Sequence, residues 1–295
     1  MNENNSKSGI IYGLLCYLIW GVLPIYWKQL GNVGPYEVLA SRYIWSIFFV
    51  SLIILGTGRW KSFKEETQLI FSTGSTAFRM FMAAVMLLFN WGIFIWAVAD
   101  GRIVETSMGY YINPLVNVLF GVIFLGEKLV NLQKIAVACA TCGIAYLVIQ
   151  TGNLPWVSIT LPLTFASYGL LKKVIPGSAF TTTWIETVLI SPLAVGYLYY
   201  VSQHGGNAYQ YGDTKTLALL VGAGIVTATP ILLFTTAAKL LPFKTVGFLQ
   251  YLAPSISFLI GVFMYGEPFT TTHAISFGCI WTGLFFYVWS QLRVH

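Results

Sequence analysis

Residues 110–128 read YYINPLVNVLFGVIFLGEK, and residues 250–268 read QYLAPSISFLIGVFMYGEP. An ungapped shift of 140 positions lays Tyr111 on Tyr251, Pro114 on Pro254, Gly121 on Gly261, Val122 on Val262, Gly126 on Gly266 and Glu127 on Glu267. The same shift lays Gly143 on Gly283. Gly, Pro and small residues recur in membrane helices for packing alone, but a gapless run of identities in one order is the mark of a duplication.

The surrounding chain is built for a bilayer. Its apolar fraction is 57%, its charged fraction 9% and its mean hydropathy +0.73, against a charged share of about 25% in soluble domains. A helix needs roughly 20 mostly apolar residues to cross a hydrocarbon core of about 30 Å. Ten stretches qualify: 8–27, 36–56, 76–98, 104–125, 129–149, 155–171, 179–201, 215–237, 243–264 and 270–291. The expected fold is an all-α polytopic membrane protein, with one five-helix repeat over 1–150 and a second over 151–295. The longest linkers, GRWKSFKEETQ and QHGGNAYQYGD, are too short to be domains. The first stretch has full membrane length and no small-residue cleavage site, so it is expected to remain as a span.

Basic residues set the orientation. With the N-terminus inside, Lys7, Arg59, Lys61, Lys64, Arg79, Lys128, Lys134, Lys172, Lys173, Lys239, Lys244 and Arg293 fall on the inner side, twelve of the sixteen. Lys28, Arg102 and Lys215 fall outside and Arg42 lies within a span. Cytoplasmic loops collect Lys and Arg, so the bias places both termini in the cytoplasm and gives the net charge of +6 a meaning other than nucleic-acid binding. Because each half holds an odd number of spans, the second copy is inverted. Inverted repeats recur in secondary transporters that rock around a midplane site, and they occur in channels too.

Five stretches carry a family resemblance: SRYIWS, NWGIFIWAVADGRIVETSMGYYINPLVNVLFGVIFLGEKL, SYGLLKK, VTATPILLFTTAAKLLP and VGFLQYLAPSISFLIGVFMYGEPF. Together they resemble the RarD branch of the EamA-type drug/metabolite transporters over nearly the whole chain. The resemblance implies a ten-helix basket of two inverted bundles in the bacterial inner membrane, moving small metabolites or drugs, usually outward. Ser41 stands before Arg42 where that branch leads one to expect His, so a proton role is not carried over to that position.

Charges within spans usually face a cavity or a partner. Arg42 lies about six residues into the second span, roughly 9 Å deep at 1.5 Å per residue. Glu186 lies at a similar depth in the seventh, from the other side. They are candidates for substrate binding, gating or, for Glu186, proton coupling; the alternative is a packing ion pair with each other, or with Glu37 and Lys173. A cavity wall is expected from Tyr17, Trp20, Asn90, Trp91, Trp96, Tyr110, Tyr111, Asn113, Asn117, Tyr168, Gln250 and Tyr251, whose polar groups must meet protein or water at that depth. Tyr110, Asn113 and Asn117 share a helix face. Interhelical packing is an equal reading for any one of them. Pro114, Pro230 and Pro254 each remove a backbone donor and are candidate hinges or static kinks. Glu127 and Glu267 end their helices where the dipole disfavours an anion, and Lys128 is at hand only for the first.

Cys16, Cys139, Cys142 and Cys279 all fall in spans and read as small packing residues rather than ligands. Neither a metal nor a cofactor is expected. Without GxxxxGK[ST] direct ATP use is not expected, and three His without HExxH or GxSxG leave an intramembrane enzyme as the lesser alternative, beside a scaffold or sensor. The expected partners are a small-molecule substrate, the lipid bilayer and a coupled proton, for a monomer or homodimer that the GIIYG motif of the first span would help pack.

Overall fold

The computed structural model describes residues 3–100, 102–152, 156–266 and 270–293. Among the described residues thirteen helices form: α1 (Glu3–Lys28), α2 (Pro35–Gly56), α3 (Trp60–Phe71), α4 (Gly74–Ala99), α5 (Ile103–Leu125), α6 (Asn131–Thr151), α7 (Trp156–Val174), α8 (Ala179–Gln203), α9 (Ala208–Tyr211), α10 (Thr214–Leu240), α11 (Phe243–Gln250), α12 (Leu252–Tyr265) and α13 (Thr271–Arg293). No strand occurs among the described residues. Eight segments there are long and apolar enough to span a bilayer, with α11 and α12 counted as one, Phe243–Tyr265. The other two expected spans, 155–171 and 270–291, are helical as α7 and α13 but fall below that apolarity. Lys172 and Lys173 in the last turn of α7 and a Thr-Thr-His start in α13 account for the shortfall.

Local chemistry sets the ends. Pro35 opens α2, where its missing N–H costs nothing. Ser178 caps α8 by accepting from the Thr181 N–H, and Asp213 caps α10 by accepting from Thr216. Hydrogen bonds from Thr216 also hold the Asp213 carboxyl below its ordinary value. The repeated Gly-Glu becomes intelligible here. Gly126 and Gly266 are left-handed C-caps with φ of 65° and 69°, and the two turns close back on the carbonyls of Gly121 and Gly261. A side chain at either cap would be strained. Glu267 lies outside the described residues.

Two linkers and one span depart from expectation. The stretch between α2 and α4 contains a twelve-residue amphipathic helix, α3, which buries Phe63 and Ile70; the Phe63 ring meets Trp184 edge-on at 5.0 Å. The later linker holds the single turn α9. The expected continuous span 243–264 is broken at Tyr251, between α11 and α12. Pro254 lacks the N–H that would bond the carbonyl of Gln250, so the break falls where its kink is expected. Pro114, at the matching place, and Pro230 lie inside unbroken helices α5 and α10.

One end of the bundle gathers Asn5, Glu127, Lys173 and the α10–α11 corner; it is called the terminus end below. The other end carries the start of α2 and α7 and the end of α4, where Tyr36, Trp96 and Trp156 border a cleft of about 440 Å³. α6 and α13 pack antiparallel through glycines. A Cβ on Gly143 would stand 2.7 Å from the Ser276 carbonyl oxygen, and one on Gly283 would stand 2.6 Å from that of Ala136. Gly9 and Gly13 of the GIIYG motif pack within the chain, Gly9 on Leu240 and Leu241 and Gly13 on Leu249.

Candidate functional site

Arg42 and Glu186 are each the eighth residue of their helices, α2 and α8, but their side chains go to different partners. The Arg42 Nε donates to Thr227 Oγ1 at 2.9 Å. Its guanidinium carbon lies 4.0 Å from the Trp91 ring centroid and 4.8 Å from that of Trp27. Thr227 is within reach because α10 presses on α2 at Gly224, where a Cβ would fall 2.3 Å from the Trp45 carbonyl carbon. No carboxylate forms an ion pair with Arg42 among the described residues.

Glu186 is fully occupied. Its Oε2 lies 2.8 Å from Lys172 Nζ, both side chains being wholly buried, and its Oε1 accepts from Tyr168 Oη at 3.1 Å. Lys172 also reaches Thr183 Oγ1 at 3.4 Å. A buried ion pair is tolerable only when its remaining lone pairs and protons are satisfied, and Tyr168 and Thr183 serve that end. The partner of Glu186 is thus neither Arg42 nor Lys173. Lys172, counted by sequence among solvated inner-side charges, is an interior residue; its place one turn after Tyr168 on the same face of α7 is the signal that sequence reading passed over.

Next to Arg42 on α2 is Tyr43, buried, with its ring 5.4 Å from that of Trp91. Its hydroxyl has no hydrogen-bond partner among the described residues. Sequence reading did not single it out.

The expected cavity wall divides. Tyr17 is buried and donates to the Val246 carbonyl at 3.3 Å, while Trp20 packs on Phe165 and Phe234 at 5.7 Å each. With Tyr168 they form an aromatic plug in the core shared by α1, α7 and α10. Asn90 ties α4 to α7, donating to the Leu161 carbonyl at 2.8 Å and Thr164 Oγ1 at 3.0 Å. Asn117 donates to Gln250 across the α5–α11 crossing, and the side-chain oxygens of Asn113, Asn117 and Tyr251 are buried there without a partner among the described residues. Tyr111 packs edge-on against Phe277 at 5.1 Å. Tyr110, against Phe94, and Trp96, against Trp156, are exposed. Of the whole set, Trp91 touches Arg42 and Trp96 borders the cleft.

Side chains that cap helix ends gather at the terminus end, around a cavity of about 340 Å³. Glu127 accepts from the backbone N–H groups of Phe243 and Lys244, the latter at 2.8 Å. Its charge is therefore met by the N-terminus of α11 rather than by Lys128. Lys173, on α7, donates to the carbonyls of Ala238 and Leu241 at the end of α10. Lys239, on α10, donates to those of Ile175 and Gly177 beyond the end of α7, at 2.6 and 2.7 Å. Glu66 of α3 accepts from Ser178 and Thr181 at the start of α8. Burial pushes the Glu66 carboxyl up, but these hydrogen bonds and the charge of Lys239 outweigh it and hold it below the ordinary carboxylate range. Replacing Glu127 with Ala strips two α11 N–H groups of their acceptor. A loss of about 1–2 kcal/mol is expected, read as a lower unfolding midpoint of the purified protein in detergent.

An EamA-like transporter family pattern matches residues 7–149. The uncharacterized transporter YojE of Bacillus subtilis (strain 168) is 39% identical over 293 residues, covering 99% of this chain and 97% of its own. Protein RarD of Escherichia coli (strain K12) is 37% identical over 288 residues, covering 98% and 96%. A solved crystal structure of a protein 17% identical superposes with a TM-score of 0.73 over 95% of this chain and 97% of its own, a likeness of fold. Nearly end-to-end identity at this level with RarD and YojE leaves one conclusion: the chain belongs to the EamA family of membrane transporters.

Proposed function

We propose that the chain is a secondary transporter of the bacterial inner membrane that exports small metabolites, amino-acid-like or amphipathic drug-like solutes, by alternating access between two inverted repeats, 1–150 and 151–295. Ten spans are assigned, with α7 and α13 crossing despite their lower apolarity because they pack against α4, α5 and α6 inside the bundle. The termini are assigned to the cytoplasm on the distribution of Lys and Arg.

The single observation that carries the repeat is the α6–α13 crossing. Gly143 meets Ser276 and Gly283 meets Ala136; each residue of the first contact lies 140 positions from its counterpart in the second. An antiparallel pair packed this way is what a two-fold axis in the membrane plane produces. The two ends nevertheless differ: helix-capping side chains tie the terminus end together around a cavity of about 340 Å³, while the other carries the apolar Tyr36–Trp96–Trp156 cleft of about 440 Å³. We read the tied terminus end and the wider apolar cleft at the other as an outward-facing state of an alternating-access carrier. Proton coupling is assigned to Glu186, for whose carboxylate a proton and the Lys172 ammonium would compete. Pro254, beside the α11–α12 break, is the proposed hinge, with Pro114 its counterpart and Pro230 a static element of α10.

The test compares intracellular and extracellular metabolites by untargeted mass spectrometry in cells expressing wild type, Arg42→Ala or Glu186→Gln at matched membrane levels. A solute exported by wild type and retained by both variants is the expected result. Profiles for all three that match empty vector, repeated with purified protein in liposomes, would overturn the proposal.

A further inference from the structure

We infer that Arg42 is the seat for the anionic group of the transported solute, and that this solute is an organic monoanion, a carboxylate on a flat apolar body, rather than a zwitterion bridging Arg42 and Glu186. The assignment refines the substrate of the site proposed above and depends on that proposal.

Three features of the site converge on it. The first is a difference in compensation. Glu186 has its counter-ion in Lys172 and a hydroxyl donor in Tyr168, so it offers no free charge to a substrate ammonium. Arg42 has no carboxylate partner among the described residues, although a cation at membrane depth is held only where something offsets its cost. The imbalance runs through more than one position. Lys28 precedes Arg42 by fourteen residues, and Lys172 precedes Glu186 by fourteen. At this spacing the second half carries a base and an acid, whereas the first half carries two bases. Lys28 turns away to the Tyr265 ring, 3.5 Å off.

The second is the geometry of the guanidinium. Trp91 and Trp27 lie within cation–π range of it, and Thr227 takes the Nε proton. The four N–H donors on the two Nη atoms then remain, with no acceptor among the described residues, on a side chain that is only half-buried. Two parallel N–H groups on that edge match the two oxygens of a carboxylate, a fit that an ammonium does not offer. The third is Tyr43, the next residue on α2, whose ring packs on Trp91 as the guanidinium does and whose buried hydroxyl, unpartnered among the described residues, is a donor for the same anion.

Access and the rest of the solute follow from neighbours. Leu39 and Leu88 line the cleft, and each lies one turn before Arg42 or Trp91 on its own helix. The cleft wall and the guanidinium thus share α2 and α4, with Arg42 and Trp91 themselves outside the lining. Its lining is aromatic and aliphatic, suited to a flat apolar body and not to a polyanion.

Phenylacetate, its neutral amide phenylacetamide and the cation phenethylamine serve as probes, measured for protein-dependent efflux from phosphatidylcholine proteoliposomes holding wild type or Arg42→Gln. Wild type is expected to move phenylacetate at least about tenfold faster than the other two, and Arg42→Gln is expected to lose that preference. Arg42→Lys, which keeps the charge but not the fork, should retain only a minor part of it. The comparison of acid with amide on wild type alone holds even if a variant folds poorly. Faster movement of the amide or the amine, or phenylacetate flux indifferent to Arg42→Gln, would overturn the anion seat while leaving a transporter. No protein-dependent flux of phenylacetate overturns it also, and the metabolite comparison above then shows whether transport itself stands. If phosphatidylglycerol in the same vesicles abolishes the preference, the seat belongs to a lipid phosphate and the inference falls.

Discussion

Replacement of Lys172 by Met is expected to cost about 3–5 kcal/mol, the usual penalty for leaving one partner of a buried ion pair uncompensated, and to remove most of the protein from a monodisperse gel-filtration peak. Both side chains are wholly buried, so water cannot take over from the lost ammonium, and the donor left to Glu186 among the described residues is the Tyr168 hydroxyl. Glu186→Met alone should be nearly as damaging, because it strands the lysine. The double variant Lys172→Met/Glu186→Met replaces the pair with apolar groups of similar length, and such exchanges are often neutral or stabilising. Near-wild-type stability is therefore expected of it, measured as the unfolding midpoint in detergent. Its transport decides the role of the pair: a double variant that folds but no longer drives solute uphill in response to a proton gradient fits the assignment of coupling to Glu186. One that folds and still couples would reduce the pair to a structural element.

The same pair marks the boundary of what sequence makes legible. The helix starts and the two charges within helices come from periodicity and composition, which are local. The opening of α2 at Pro35 and of α8 at Ala179 falls within a residue of the expected 36 and 179. Burial of Lys172 is not local: a lysine in the last turn of α7 looks like an interfacial charge until α8 is packed across it. Glu127 is similar. The dipole marks its carboxylate as needing a partner, but the partner is backbone 116 and 117 residues on, and no side-chain pattern advertises backbone. Pro114 and Pro254 show the reverse case, equal sequence with unequal outcome. Both remove a donor, yet only the second lies at a break, so the missing donor alone does not decide what a proline does.

Gly143 and Gly283 offer the sharpest trial of the inverted repeat. Substitution of either by Ala is expected to cost about 1–3 kcal/mol, the range for overpacking a close contact, because the new methyl would stand 2.7 or 2.6 Å from a carbonyl oxygen of the facing helix. Backbone cannot swing aside as a side-chain tip can, so α6 and α13 must separate. Leu at either site should be worse. Gly278 is the internal control: it lies in α13, where an added methyl would meet nothing within 4 Å among the described residues, and Ala there should be neutral or stabilise the helix by up to about 1 kcal/mol. Three relations follow if a two-fold axis runs through the crossing. Gly143→Ala and Gly283→Ala should shift the unfolding midpoint by similar amounts. Their combination should cost less than the sum, since helices already parted by one methyl have made room for the other. Each should also be relieved in part, the carbonyl contact remaining, by removing the nearest facing Cβ: Cys279→Gly for Gly143→Ala, and Cys139→Gly for Gly283→Ala, because those Cβ atoms stand 2.9 and 3.4 Å from the added methyls. A large effect at one glycine with none at the other would mean that the halves share a sequence pattern without sharing a packing, and the mirrored-gate mechanism would lose its structural basis.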